Sequence, residues 1–180
     1  RLNAHEAARN DALLASHLGQ LRPRPFDIAA CVLPLVLDDT LTLLRPNLIK
    51  HHILVKSSLA PDLPAVDASR AHILQVCLNI AMNAIDAMPG GGNLTVTIAP
   101  DNRRIPGVLM RFADSGKGIS EKDLKRIYEP FFTNGKAKGV GLGLTITRDI
   151  VERHHGQLVI QSPPGSGAVV DVWLPVKHEA

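Results

Sequence analysis

Aromatic side chains are scarce in this sequence of 180 residues: one Trp, one Tyr and four Phe, with a formal net charge of only +3. Stacking platforms interleaved with basic residues are therefore missing, which argues against nucleic acid as a partner. Cysteine is scarce too. Cys31 and Cys77 show no CxxC spacing, so neither a zinc site nor a disulfide framework is indicated, and a reducing, cytoplasmic setting is expected. No apolar run approaches the roughly 20 residues that span a bilayer, and the N-terminus lacks the parts of a signal peptide. No membrane contact is expected of this segment. Its start at Arg1 rather than Met fits a piece of a longer protein, whose other parts could be anchored in an inner membrane.

Residues 1–25 read differently from the rest. The first 20 contain no proline, and Leu2, Leu13, Leu14, Leu18 and Leu21 are partly helix-spaced. The stretch Leu21-Arg22-Pro23-Arg24-Pro25 then breaks the helix, because each proline disfavours helix at the residue before it. A helix tail and linker over 1–25, followed by one domain over 26–180, is the expected organisation.

In that domain, Asp27 is expected to cap a helix over residues 28–44 despite Pro34. A strand is expected over 53–57, and a helix over 67–88 that ends at Pro89 and the glycines Gly90 to Gly92. Leu94, Val96 and Ile98 alternate with Thr95 and Thr97, as a half-buried strand requires. This strand, 93–99, should form a hairpin with 107–113. A short helix over 121–127, a helix over 142–154 and a last hairpin of 158–161 with 168–174 complete the expectation. Mixed elements with antiparallel hairpins predict an α+β, two-layer arrangement with helices on one sheet face.

Several motifs suggest chemistry. On the 67–88 helix, Gln75, Asn79 and Asn83 are spaced by four, with Asp86 three further on, so all stack on one face. Asparagine is a mediocre helix former. The stripe reads either as a solvated face or as amide oxygens for Mg²⁺, a hard cation that also keeps phosphates and waters in its shell. Asp114-Ser115-Gly116-Lys117-Gly118 follows a strand. It reads as an ordinary turn, or as a carboxylate that accepts from an amino group such as that of adenine while glycines admit a flat base. Gly139-Val140-Gly141-Leu142-Gly143-Leu144 opens a helix, whose N–H groups and positive dipole end suit phosphate. It is neither a Rossmann nor a Walker motif. Between these clusters lies Tyr128-Glu129-Pro130-Phe131-Phe132-Thr133-Asn134-Gly135-Lys136-Ala137-Lys138, which reads as an aromatic anchor under a loop whose lysines could reach phosphate. His5, His51, His52, His154 and His155 have no metal-ligand spacing and read as solvated.

Taken in order, the motifs resemble those of the GHKL, or Bergerat-fold, ATP-binding family, and within it the sensor histidine kinases. The resemblance covers about residues 26–176. Asn79 to Ala87 resembles the N box, Asp114 to Gly118 the G1 box, Glu129 to Phe132 the F box, Gly139 to Leu144 the G2 box and Gly165 to Gly167 the G3 box. The resemblance implies an α/β sandwich with a mixed, mostly antiparallel sheet. It also implies an ATP site drawn from Asn79, Asn83, Asp86, Asp114, Gly116, Gly118, Ile119, Phe131, Phe132, Thr133, Lys136, Lys138, Gly139, Val140, Gly141, Leu142, Gly143, Leu144 and Ala168. Asn83 would coordinate Mg²⁺, Asn79 would assist at the phosphates, Asp114 would hold the adenine amino group, and Thr133 to Gly141 would form a lid. Asp86 stands where many members carry Lys or Arg, and Ala168 where Thr is usual.

By the same resemblance, residues 1–25 are the end of a dimerisation and phosphotransfer helix. The acceptor histidine lies outside the segment, and the partners are ATP or ADP, a second copy and a response-regulator receiver domain. Hydrolysing relatives commonly carry Glu at the position of Asn79, so the neutral amide favours kinase over ATPase. A regulatory module that binds nucleotide without transferring phosphate is the alternative.

Overall fold

The alternation in the fourth strand places Leu94, Val96 and Ile98 wholly inside, while Thr95 and Thr97 lie on the other, partly open face. This strand organises the domain. The structure, a computed structural model, describes residues 26–102, 105–127, 143–163 and 165–177. Their elements are β1 (Ala29–Cys31), α1 (Leu33–Lys50), β2 (Ile53–Leu59), β3 (Val66–Ala68), α2 (Arg70–Ala87), β4 (Gly92–Pro100), β5 (Gly107–Asp114), α3 (Glu121–Leu124), α4 (Gly143–Arg153), β6 (Gln157–Gln161) and β7 (Val169–Pro175).

The main sheet runs β2-β4-β5-β7-β6. Only the β2–β4 pair is parallel; β4–β5, β5–β7 and β6–β7 are antiparallel. Val108, Met110, Phe112, Val172 and Leu174 join the inward residues of β4 in one core with Val36 and Leu44 of α1, Ile73, Val76, Cys77 and Ile80 of α2, and Ile150 and Val151 of α4. The two-layer expectation is borne out. Both cysteines are buried and unpaired; burial pushes the Cys77 thiol up to about 12, so it is inert packing material.

Two helix starts differ from expectation, for one reason. Residues 29–31 pair antiparallel with residues 66–68, so the segments expected to open α1 and α2 are consumed by a small second sheet. Asp27 caps nothing. Val32 occupies the cap position of α1, and Pro34 falls in its first turn, where a missing N–H costs little. Cys31 thus lies on a strand rather than a helix. Helix α2 starts at Arg70 behind Ser69, whose N–H donates to His154 Nε2 at 2.9 Å and whose hydroxyl bonds His72 Nδ1 at 2.8 Å.

His154 therefore corrects the reading of solvated histidines. It is fully buried. Its Nε2 accepts from Ser69, so the ring proton sits on Nδ1, which donates to the Ile150 carbonyl at 2.7 Å. Phe26 stacks on His72 at 4.3 Å between ring centroids and lies 4.9 Å from His154, with the Arg153 guanidinium over its face. Burial, and then the charge of Arg153, hold the His72 pKa below its ordinary 6.5.

The folded chain thus binds this proton less readily than the unfolded chain does. Its contribution to stability is complete above the unfolded value and is lost as pH falls through the folded one. Thermal unfolding followed from about pH 7.5 to about pH 5 should show a falling midpoint, with a shallower slope in His72→Gln. Identical slopes would remove His72 as the cause.

Candidate functional site

Helix α2 carries its polar stripe across from the buried face. Asn79 and Asn83 are half-buried and Asp86 is exposed. The Asn79 amide nitrogen donates to the Gly143 carbonyl at 3.2 Å and to Thr147 Oγ1 at 3.3 Å. Thr147, fully buried, donates in turn to the same carbonyl at 2.8 Å. That carbonyl can only accept, so the amide orientation is settled, and Asn79 Oδ1 meets no donor among the described residues. This bond ties the start of α4, where Gly143 and the half-buried Leu144 lie, to the middle of α2.

The second half of the site forms where β5 ends. Asp114 Oδ1 accepts from the Gly116 N–H at 2.8 Å and from the Ala168 N–H at 3.3 Å. Both donors reach the same oxygen, and among the described residues Oδ2 meets none. Burial pushes the Asp114 carboxyl above its ordinary value, and the two backbone N–H groups offset only part of this. The turn beyond Asp114 packs on the C-terminal end of α2: Lys117 N–H donates to the Ala87 carbonyl at 3.2 Å. A Cβ on Gly116 would stand 2.7 Å from that carbonyl, so only glycine permits the approach.

Gly118 and Ile119 continue this turn, and the Ile119 N–H donates to Ser162 Oγ at 2.6 Å. Ser162 then donates to the Gly167 carbonyl at 2.8 Å. Neither Ser162 nor Thr147 stood out in the sequence. The available signals were modest: Thr147 lies one helical turn after Gly143, and Ser162 sits where β6 gives way to prolines and glycines.

The structure brings Asn79 together with Gly143, and Asp114 together with Gly116 and Ala168. Asn83 and Asp86 share the α2 stripe. Phe131, Phe132, Thr133, Lys136, Lys138, Gly139, Val140, Gly141 and Leu142 lie outside the described residues, as do residues 1–25. Among the described residues no group of three or more His, Cys, Asp or Glu could hold a metal ion, and no helix is long and apolar enough to cross a membrane.

Helices thus cover one face of a mixed sheet, with a carboxylate turn at one end of α2 and a glycine-led helix at its middle. Residues 68–178 match the family described as histidine kinase-, DNA gyrase B- and HSP90-like ATPases, and the chain belongs to it. Within that family its similarity is to histidine kinases. Sporulation kinase E of Bacillus subtilis is 33% identical over 175 residues, covering 97% of this chain but 23% of that protein. The chain thus spans less than a quarter of that relative. The nucleotide-free catalytic domain of histidine kinase ThkA superposes with a TM-score of 0.73 at 27% identity, covering 84% of this chain and 99% of that one. ThkA in complex with response regulator protein TrrA gives a TM-score of 0.72 at 25% identity, over 96% of this chain and 48% of that one.

Proposed function

We propose that this chain is the catalytic portion of a two-component sensor histidine kinase. It binds Mg-ATP and transfers the γ-phosphoryl group to a histidine outside these residues, for relay to a response-regulator aspartate. The observation that carries this reading is Asp114, with one carboxylate oxygen filled by two backbone N–H groups and the other meeting no donor among the described residues, beside a glycine-walled turn. Oδ2 is an acceptor for an exocyclic amino group, as adenine presents. From Ala87, beneath that turn, back to Asn79 is eight residues of helix, about 12 Å. This separation suits a ligand with a base at one end and phosphates at the other.

At the phosphate end, Asn79 fastens the start of α4, where helix N–H groups favour anions. Among the described residues no cluster of carboxylates and histidines could cage a metal, but the amide oxygens of the α2 stripe fit magnesium, which needs few protein oxygens when phosphates and water complete its shell. Asn83 would hold it and Asn79 would assist. When bound, the ion supplies neutralisation of phosphate charge. The remaining work of the chain is positioning: transfer breaks the bond between the γ-phosphorus and its bridging oxygen, forms a bond from phosphorus to an imidazole nitrogen, and leaves ADP. The TrrA complex of ThkA supports a receiver domain as the next acceptor. Residues 1–25 would end a helix of the dimerisation hairpin, within a cytoplasmic part of a parent that could be anchored in the inner membrane.

Labelled ATP and magnesium given to the full-length protein should yield acid-labile phosphate. Nucleotide binding without labelling would instead favour a regulatory module. Calorimetry on Asn83→Ala should show ADP binding that has lost most of its magnesium dependence. A retained dependence would displace Asn83 as the metal ligand.

A further inference from the structure

Ser162 follows β6 and is 5% exposed, and the roles assigned above leave it unused. Its hydroxyl is engaged as both acceptor and donor: it accepts from the Ile119 N–H at 2.6 Å and donates its one hydrogen to the Gly167 carbonyl at 2.8 Å. The peptide that begins with this carbonyl ends with the Ala168 N–H, which donates to Asp114 Oδ1 at 3.3 Å. No peptide bond among the described residues is cis. In a trans unit the C=O and N–H point in opposite directions, so the hydroxyl that holds the oxygen also aims the hydrogen.

We infer that Ser162 is a positioning residue, which sets the acceptor geometry of Asp114 through the Gly167–Ala168 peptide. The neighbouring bond from Asp114 N–H to the Ala168 carbonyl, 2.9 Å, lies beyond this peptide plane and does not stop it from turning. Ser162 does. It also pins Ile119, so the turn carrying Gly116 and Gly118 and the turn carrying Gly165 and Gly167 meet at one oxygen.

Losing the hydroxyl would orphan a carbonyl and an N–H at a buried position, and rotation of the peptide toward water is the relief available. The Ala168 N–H then leaves Oδ1. Asp114 loses one of the two bonds that favour its ionised form and the restraint that directs Oδ2 outward.

Carboxylate NMR titration of the nucleotide-free chain tests the first consequence. Asp114 should titrate about one pH unit higher in Ser162→Ala, with return to the wild-type midpoint in Ser162→Thr. An unchanged Asp114 midpoint in folded Ser162→Ala would overturn the inference. Should that variant be too unstable to titrate, Ser162→Cys, a weaker donor of similar size, should raise the midpoint by a smaller amount, and no rise would count equally against it.

The second consequence rests on the nucleotide reading above. ADP should bind Ser162→Ala about tenfold more weakly, while magnesium tripolyphosphate, which has no base, binds as to wild type. Equal weakening of both would mean general loosening and would overturn the positioning role. Failure of the wild-type chain to bind ADP would remove the nucleotide reading, and the titration would still decide the role of Ser162.

Discussion

Asp114→Asn should weaken ADP binding by about 100-fold or more, without lowering the stability of the nucleotide-free chain. The loss comes from which atom faces the ligand. Two backbone N–H groups converge on Oδ1, so an asparagine must place its carbonyl oxygen there and turn its NH₂ to the position of Oδ2. An acceptor becomes a donor facing the adenine amino group, itself a donor. A lost bond to a charged group alone is worth about 1.5–3 kcal/mol, and the mismatch adds to it. The same geometry predicts a reversal: IDP, whose base offers an oxygen at that place, should bind the variant better than ADP does. Calorimetry with both ligands checks this, and equal loss for both would show that Asp114 does not read the base.

The stability half has its own sign. Burial raises the Asp114 carboxyl above its ordinary value, so the folded chain holds this proton more tightly than the unfolded chain. The associated stability is complete below the unfolded value and is lost as pH rises through the folded one. At neutral pH the ionised group is a cost that the binding function retains. The amide removes that cost, so thermal melts at about pH 7 should place Asp114→Asn level with or above wild type. A large fall would make Asp114 a structural residue first.

Gly167→Ala should be the most disruptive small substitution in the described chain. A Cβ there would stand 1.9 Å from the Asp114 carbonyl oxygen and 2.8 Å from its carbon, both backbone atoms that cannot swing aside. The residue also holds φ at +76°, a region L side chains avoid. Strain and overpacking together should cost about 3 kcal/mol or more, lowering the unfolding midpoint by roughly 10 °C. Because the peptide after Gly167 feeds Asp114, ADP binding should fall as well. Gly165→Ala is the control: its φ is +74°, yet a Cβ meets nothing within 4 Å, so only the backbone term of about 1 kcal/mol applies. Similar melting points for the two variants would show that the contact with Asp114 is not what makes Gly167 necessary.

Features that speak through local periodicity were legible in the sequence. The alternation of β4, its hairpin with β5, and the division of α2 into an apolar face and an Asn79–Asn83–Asp86 stripe all follow from spacing. What escaped was set by distant partners. Nothing near Ala29 announces pairing with residues almost 40 positions later, so an apolar stretch that becomes a strand read as helix. His154 lies beside the polar His155 and gives no sign that its ring closes over the Ser69 N–H. Ser162 falls one residue past the expected strand 158–161 and belongs to no motif. Its role exists only where three loops converge on one hydroxyl.

Helix α2 underlies both halves of the site: Asn79 fastens the start of α4, and Ala87 receives the turn that carries Gly116 and Lys117. An added or deleted residue between them would shift everything beyond by about 1.5 Å and turn it by about 100°, swinging the C-terminal end of the stripe away from the Asp114 turn. Length variation among proteins that share this site should therefore be absent from this stretch of helix and collect in the connections around it, such as that between β4 and β5.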